Sequence, residues 1–296
     1  MTYAISLVVP FLLSPLVEGI VRKLRARIHS RKGPPLTQPY RDIAKLLIKE
    51  DLEGASNWVL RIAPAVALAA VLVAALLAPM GFKPPMAEGG DMIVFVYIAG
   101  LSTVAVILGG MASASPYAYI GAGREMMMHM MVEPVLLIGL LAAAVKCGSL
   151  QMWPMAVWNA ANGPALSLII AGVAVFLAFQ AQVGKLPFDV PEADSEIMGG
   201  PYIEMSGPKL ALFRWAFWAK LVVFGSVLVA VFVPWGTTFA LPWAVLAHLA
   251  KLAVLAVLVC LVDVVNPRLR IDQTLIYYFG VVFVALAGLA FALIGA

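Results

Sequence analysis

Long apolar runs alternate with short polar segments along all 296 residues of this chain. Eight runs, Ala4–Val21, Leu60–Met80, Met92–Ala112, Glu125–Val145, Ala165–Gly184, Lys209–Pro234, Leu241–Val262 and Gln273–Ile294, are long enough to cross a bilayer as helices, which takes about 20 residues. A membrane β-barrel would show short segments of alternating polarity instead. The pattern predicts an all-α integral membrane protein of about eight transmembrane helices, forming a single transmembrane domain over residues 1–296. The first run contains Pro10, Pro15 and Glu18 and has no basic leader, so it reads as a retained helix rather than a cleaved signal.

Two of the polar segments carry more than a connector needs. The first, from Arg22 to Asn57, is broken by Gly33-Pro34-Pro35 and again by Pro39, which interrupt a helix and redirect the chain. After the break, Tyr40 to Lys49 places Ile43, Leu46 and Leu47 at helical spacing with charges on the remaining face, an amphipathic surface helix suited to a partner or to lipid. The second, Gln182 to Gly207, holds five carboxylates (Asp189, Glu192, Asp194, Glu196, Glu204) beside one basic residue, Lys185. Its Pro187-Phe188-Asp189-Val190-Pro191 alternates rigid and bulky residues and needs a surface to pack on. A short helix there would place Glu192 and Glu196 on one face, where like charges favour protonation.

Composition agrees with a membrane protein: 63% of residues are hydrophobic and 12% charged, against about 25% charged in soluble domains, and mean hydropathy is +0.97. Of the twenty Lys and Arg, sixteen fall on one set of alternate loops or their flanks and only Lys83 and Lys146 on the other. The basic first loop and the acidic loop are therefore both expected on the cytoplasmic side of the cell membrane. Positive-inside topology and attraction to anionic lipid would by themselves account for a basic loop. The two cysteines, Cys147 and Cys260, lack metal-ligand spacing, so no metal, iron–sulfur or haem site is expected in this chain.

Ionisable residues inside the runs mark candidate chemistry, because charge in hydrocarbon is costly and needs a partner or a polar path. Glu125, His129 and Glu133 stand at i, i+4 and i+8, on one helix face. Pro134 follows and removes a backbone donor from the same helix. The methionines around them read as adaptable packing. Glu18 precedes Arg22 by four, the favourable order for a helical ion pair. Lys220 is expected to snorkel toward the inner face. Lys251 lies near mid-span with His248 one turn away, and a carboxylate across the bundle is its expected partner.

Together these blocks resemble one family: the proton-channel-bearing membrane subunit of respiratory complex I (NADH:quinone oxidoreductase subunit 1), with its counterparts in membrane-bound [NiFe] hydrogenases and formate hydrogenlyase. The resemblance spans the chain and rests on Arg27, Arg31, Gly33-Pro34 and Gln38-Pro39, Asp42, Lys45-Leu46 and Lys49-Glu50, Gly121, Arg124 and Glu133. It continues through Pro187-Phe188-Asp189, Pro191-Glu192, Glu196, Gly200, Glu204, Ser206-Gly207 and Arg270-Asp272-Gln273. Pro35 and Met205 depart from the quinone-reducing members, and Gly184 to Asp189 looks more like the hydrogenase-type branch.

The resemblance implies a non-catalytic subunit that anchors a peripheral redox arm and couples its chemistry to proton or sodium movement through antiporter-like neighbours. Iron–sulfur clusters and a NiFe centre would sit in partner subunits. It further implies a path of ionisable groups, Glu133, Asp189, Glu192, Glu196 and Glu204 with His129, Lys251 and Glu18, and an arm-facing surface of Arg27, Arg31, Gly33, Pro34, Gln38, Asp42, Lys45, Arg124, Arg270 and Asp272. Three readings stay open. One is a coupling subunit of a ferredoxin-linked hydrogenase or a sulfur-reducing relative. Another is a quinone-binding subunit of complex I proper. The last is a self-sufficient transporter, which tends to show interrupted helices in two related halves; no such repeat is visible. No nucleic-acid partner is expected.

Overall fold

The computed structural model describes residues 2–52, 57–237 and 239–295, without the side chains of Thr2, Asp194 and Ser195. Positions 53–56 of the first polar loop, and the Asp194 carboxylate, lie outside the described residues. The described chain is helical throughout: α1 (Thr2–Ile28), α2 (Gln38–Ile48), α3 (Trp58–Leu77), α4 (Met92–Ala112), α5 (Pro116–Cys147), α6 (Met152–Asn162), α7 (Leu166–Gln182), the single turn α8 (Asp194–Ile197), a 3-10 turn (Gly200–Tyr202), α9 (Gly207–Phe232), α10 (Leu241–Val265) and α11 (Ile271–Ile294).

Seven of these helices are long and apolar enough to cross a membrane. The protein is multi-pass. The eighth expected span corresponds to α7, which is apolar but only 17 residues long, about 25 Å at 1.5 Å per residue, at the short limit for a hydrocarbon core of about 30 Å. By contrast α5 runs 32 residues, so it begins nine residues ahead of the expected Glu125 and carries Arg124 on its first turns. Its start follows from Pro116 in the first turn, where the missing N–H costs nothing. Its end follows from Gly148, which adopts the left-handed conformation that closes a helix. The amphipathic α6 was not foreseen.

Helix α9 is the axis of the bundle: 83% of its most apolar window is buried, against 28% for α11. Helices α1, α3, α7 and α10 pack around it, while α5 and α11 close the other flank against α7. Small residues permit the close approaches, as where Gly139 of α5 leaves no room for a methyl beside Val175 of α7. Apolar side chains that remain exposed, such as Phe279 and Phe283 on α11 or Val254 and Leu258 on α10, form the outer wall that hydrocarbon would cover.

Both polar loops meet at one end of the bundle. A Cβ on Gly207, at the start of α9, would lie 2.8 Å from the Lys49 and Glu50 carbonyls, and Lys209 pairs with Asp51 at 3.0 Å. The amphipathic α2 is present but buries only one of its three expected apolar positions, Ile43; Leu47 is exposed, as is the following Ile48.

Candidate functional site

The acidic loop is a folded cap over the bundle end rather than a solvated connector. Phe188 is its anchor, 2% exposed and packed on Tyr277 and Tyr278 with ring centroids 5.3 and 5.0 Å away. The Leu269 amide donates to the Pro187 carbonyl at 3.0 Å. The return turn is equally tight: a Cβ on Gly200 would sit 1.9 Å from the Pro191 carbonyl oxygen, and its φ of +54° suits glycine.

Each described carboxylate of the cap except Glu204 meets an arginine from a different part of the chain. Asp189 pairs with Arg268 at 2.7 Å, Glu192 with Arg214 of α9 at 3.1 Å and Glu196 with Arg124 of α5 at 2.7 Å. Glu192 precedes α8 instead of sharing a face with Glu196, because Ala193 has a positive φ that turns the chain between them. The expected mutual repulsion is therefore replaced. The Arg124 guanidinium holds the Glu196 carboxyl below its ordinary range. Burial, with the Glu192 carboxylate nearby, pushes the Tyr202 phenol well above its own, and the Arg214 guanidinium lies 5.4 Å from that ring.

Beneath the cap lies a second lattice. Glu18 of α1 accepts from Arg22 at 3.0 Å, one turn along as expected, and from Lys185 of the cap at 2.8 Å. Arg22 bridges onward to Asp42 of α2 at 3.0 Å, and Asp42 also accepts from Gln38 at 2.9 Å. Asp263, near the end of α10, is 1% exposed. It binds the Arg25 guanidinium of α1 and takes the Leu186 amide at 3.0 Å. Sequence reasoning passed over Asp263, yet a signal existed, since it is the sole carboxylate between Glu204 and Asp272.

Two adjoining cavities thread this arrangement. The outer one, about 300 Å³, is walled by Glu18, Arg22, Arg25, Lys185, Arg214 and Asp263. The inner one, about 30 Å³, has space for a water or two and is walled by Thr103, Glu125, His129 and Tyr202. Asp189 and Glu192 line both. From Glu125 the polar face of α5 continues inward as expected: His129 Nε2 lies 3.5 Å from Glu133 Oε2, and both side chains lie against Gly100 of α4, where a Cβ would come 3.4 Å from Glu133 Oε1. Lys220 does not snorkel. Its ammonium is buried and donates to Thr103 Oγ1, at the inner cavity, at 2.7 Å.

Two other expected positions fall elsewhere. Glu204 lines neither cavity. Among the described residues Lys251 takes no carboxylate partner; its ammonium donates to the Val233 and Trp235 carbonyls at 2.7 and 2.8 Å, where the end of α9 leaves carbonyls without helical donors. Neighbouring His248 faces Ser226 at 3.1 Å. Of the expected arm-facing residues, Arg27, Arg31, Lys45, Arg270 and Asp272 are exposed, Arg124 and Asp42 are engaged in the ion pairs above, and Gly33 folds back on Ala26, with 2.8 Å left for a methyl. Among the described residues no group of three or more His, Cys, Asp or Glu could hold a metal ion.

Fold and site together define a multi-pass helical membrane protein with two polar cavities under a capped loop end. The chain belongs to the NADH dehydrogenase family, whose model matches residues 1–294. It is 38% identical over 236 residues to hydrogenase-4 component C of Escherichia coli, covering 77% of this chain and 74% of that one. Formate hydrogenlyase subunit 4 of the same organism is 36% identical, with 78% and 77% covered. The corresponding NADH-quinone oxidoreductase subunit of a Geobacillus species is 30% identical, with 85% and 80% covered. In fold, the chain matches a subunit of an archaeal membrane-bound sulfane sulfur reductase complex with a TM-score of 0.90 over 98% of both chains, at 24% identity. The resemblance drawn from the loop blocks is borne out.

Proposed function

We propose that this chain is the ion-translocation coupling subunit of a multisubunit membrane hydrogenase or a related sulfur-reducing respiratory complex. One observation carries the reading: Asp189 and Glu192 stand between a charged outer chamber and the inner cavity that holds Glu125 and His129. A proton entering at the cap would pass Asp189 or Glu192, reach Glu125, and continue along α5 through His129 to Glu133. These groups line the inner cavity and one face of α5, and ionisable side chains set into a helix bundle in the membrane are the groups from which ion pathways are built. Glu18, paired with Arg22 and Lys185, and Asp263, paired with Arg25, hold the chamber walls.

The chemistry of electron transfer then belongs to partners. The exposed Arg27, Arg31, Lys45, Arg270 and Asp272 form the surface on which a peripheral redox arm, carrying iron–sulfur clusters and a NiFe centre, would dock, and antiporter-like subunits would lie alongside in the membrane. The capped end faces the cytoplasm in this reading, supported by the excess of Lys and Arg there. The hydrogenase-type branch is supported by the higher identity to the two Escherichia coli subunits and by Pro35 and Met205, although the outer chamber leaves a quinone-binding subunit as the alternative.

The test is a pair of substitutions in the native complex, reconstituted in vesicles. Glu133→Gln and Glu125→Gln should leave assembly and electron transfer to a soluble acceptor intact while lowering ion pumping by about tenfold or more, the scale of losing a positioned proton carrier. Normal pumping by an assembled Glu125→Gln complex would overturn the path.

A further inference from the structure

The far end of the bundle holds a cavity unlike the two described above. Helices α7 and α10 both pack on α9 and leave a cleft of about 810 Å³ between them, within the range of sites that take organic ligands. Its floor is Val229 and Phe232 of α9, and its walls are Leu168 and Val173 of α7 with Val254 and Leu258 of α10. Val173, Val254 and Leu258 are exposed, so the cleft opens sideways onto the surface that faces hydrocarbon.

One end of this apolar cleft is cationic. Lys251 lines it, and among the described residues no carboxylate pairs with its ammonium. Two of the three ammonium donors are occupied by the Val233 and Trp235 carbonyls, leaving one. Trp235 and Trp243 are exposed at the same end; Trp243 and Lys251 are eight residues apart and share a face of α10 with Val254 and Leu258. Tryptophan beside lysine, above an aliphatic trough, is the side-chain order of a membrane from headgroup level inward.

We propose that this cleft is a binding site for an anionic phospholipid, its phosphate on Lys251 and its acyl chains along α7, α9 and α10. Charge selects the occupant. A lipid phosphodiester supplies the negative charge and the acceptor that the third N–H needs, whereas the apolar face of a neighbouring transmembrane helix would supply neither. The proposal is independent of the proton path, which runs at the opposite end.

The purified complex, exchanged into detergent with equal phosphatidylglycerol and phosphatidylcholine, tests it by native mass spectrometry. Wild type should retain phosphatidylglycerol over phosphatidylcholine by roughly fivefold, the effect of one basic residue. Lys251→Gln should abolish that preference while still binding lipid, and Val173→Trp, which fills the trough, should lower retention of both lipids. A photoreactive residue at Val173 should label lipid. Equal retention by wild type, an unchanged preference in Lys251→Gln, or labelling of a neighbouring polypeptide in place of lipid would each overturn the proposal, the last by showing that a protein helix fills the cleft.

Discussion

The two ends of this bundle solve the same problem with different chemistry. At the capped end the two buried carboxylates are met by opposite charge: Glu18 takes both Arg22 and Lys185, and Asp263 takes Arg25. At the far end two polar side chains bind backbone instead, Lys251 on Val233 and Trp235 and Asn159 on the Val231 carbonyl at 2.8 Å. Carbonyl partners are neutral, so the Lys251 contacts there form no ion pair. The outer chamber is walled by the carboxylates and cations of the capped-end lattice. The two ends therefore differ in partner type, ion pairs under the cap and neutral carbonyls at the far end.

The contrast is broken most severely by Glu18→Ala. The side chains of Glu18 and Lys185 are 7% and 11% exposed, and removing one partner of a buried pair costs about 3 to 5 kcal/mol. Thermal unfolding in detergent should fall by several degrees more than for Lys251→Gln, whose carbonyl contacts carry no charge pair. Equal losses would show that the ends are not different in kind.

Next comes Gly200→Ala. The methyl would clash with the Pro191 carbonyl, 1.9 Å away, and a positive φ in a non-glycine residue costs about 1 to 3 kcal/mol. The change falls on the cap and not on the bundle, so limited proteolysis should cut residues 183–206 faster while the unfolding midpoint of the spans barely moves. Uniform destabilisation would mean that the cap and the bundle unfold as one unit.

The smallest effect belongs to Glu196. Its carboxyl is held low by Arg124, so the pair contributes stability above the ordinary carboxylate pKa, and the contribution is lost as pH falls through the depressed value. Because Glu196 is exposed, Glu196→Gln should change stability by less than about 1 kcal/mol at pH 7 and by nothing measurable in acid. Equal differences between the two proteins at pH 7 and in acid would assign the Arg124 contact no electrostatic role.

Much of this was legible beforehand. Seven spans, the kink of the first loop, the amphipathic α2, the helical face of Glu125, His129 and Glu133 and the Glu18–Arg22 pair all follow from spacing within one element. Misplaced were the groups whose partners lie across the bundle. Lys220 and Lys251 have similar apolar contexts in sequence, yet one points at Thr103 in the inner cavity and the other at the frayed end of α9. The arginines counted as topology signals, Arg124, Arg214 and Arg268, proved to be the partners of the cap carboxylates.

The sequence alone therefore determined the membrane class, the long apolar helices and the end of the bundle where charge collects, because hydropathy and helical period act over neighbours in the chain. Only the tertiary structure decided which carboxylate meets which cation, that Asp263 matters, and that Asp189 and Glu192 stand between two cavities. Those pairings join residues up to 238 positions apart, as between Arg25 and Asp263. They are fixed by how α1, α5, α9 and α10 pack and by the turn at Gly200, and no local period along the chain encodes them.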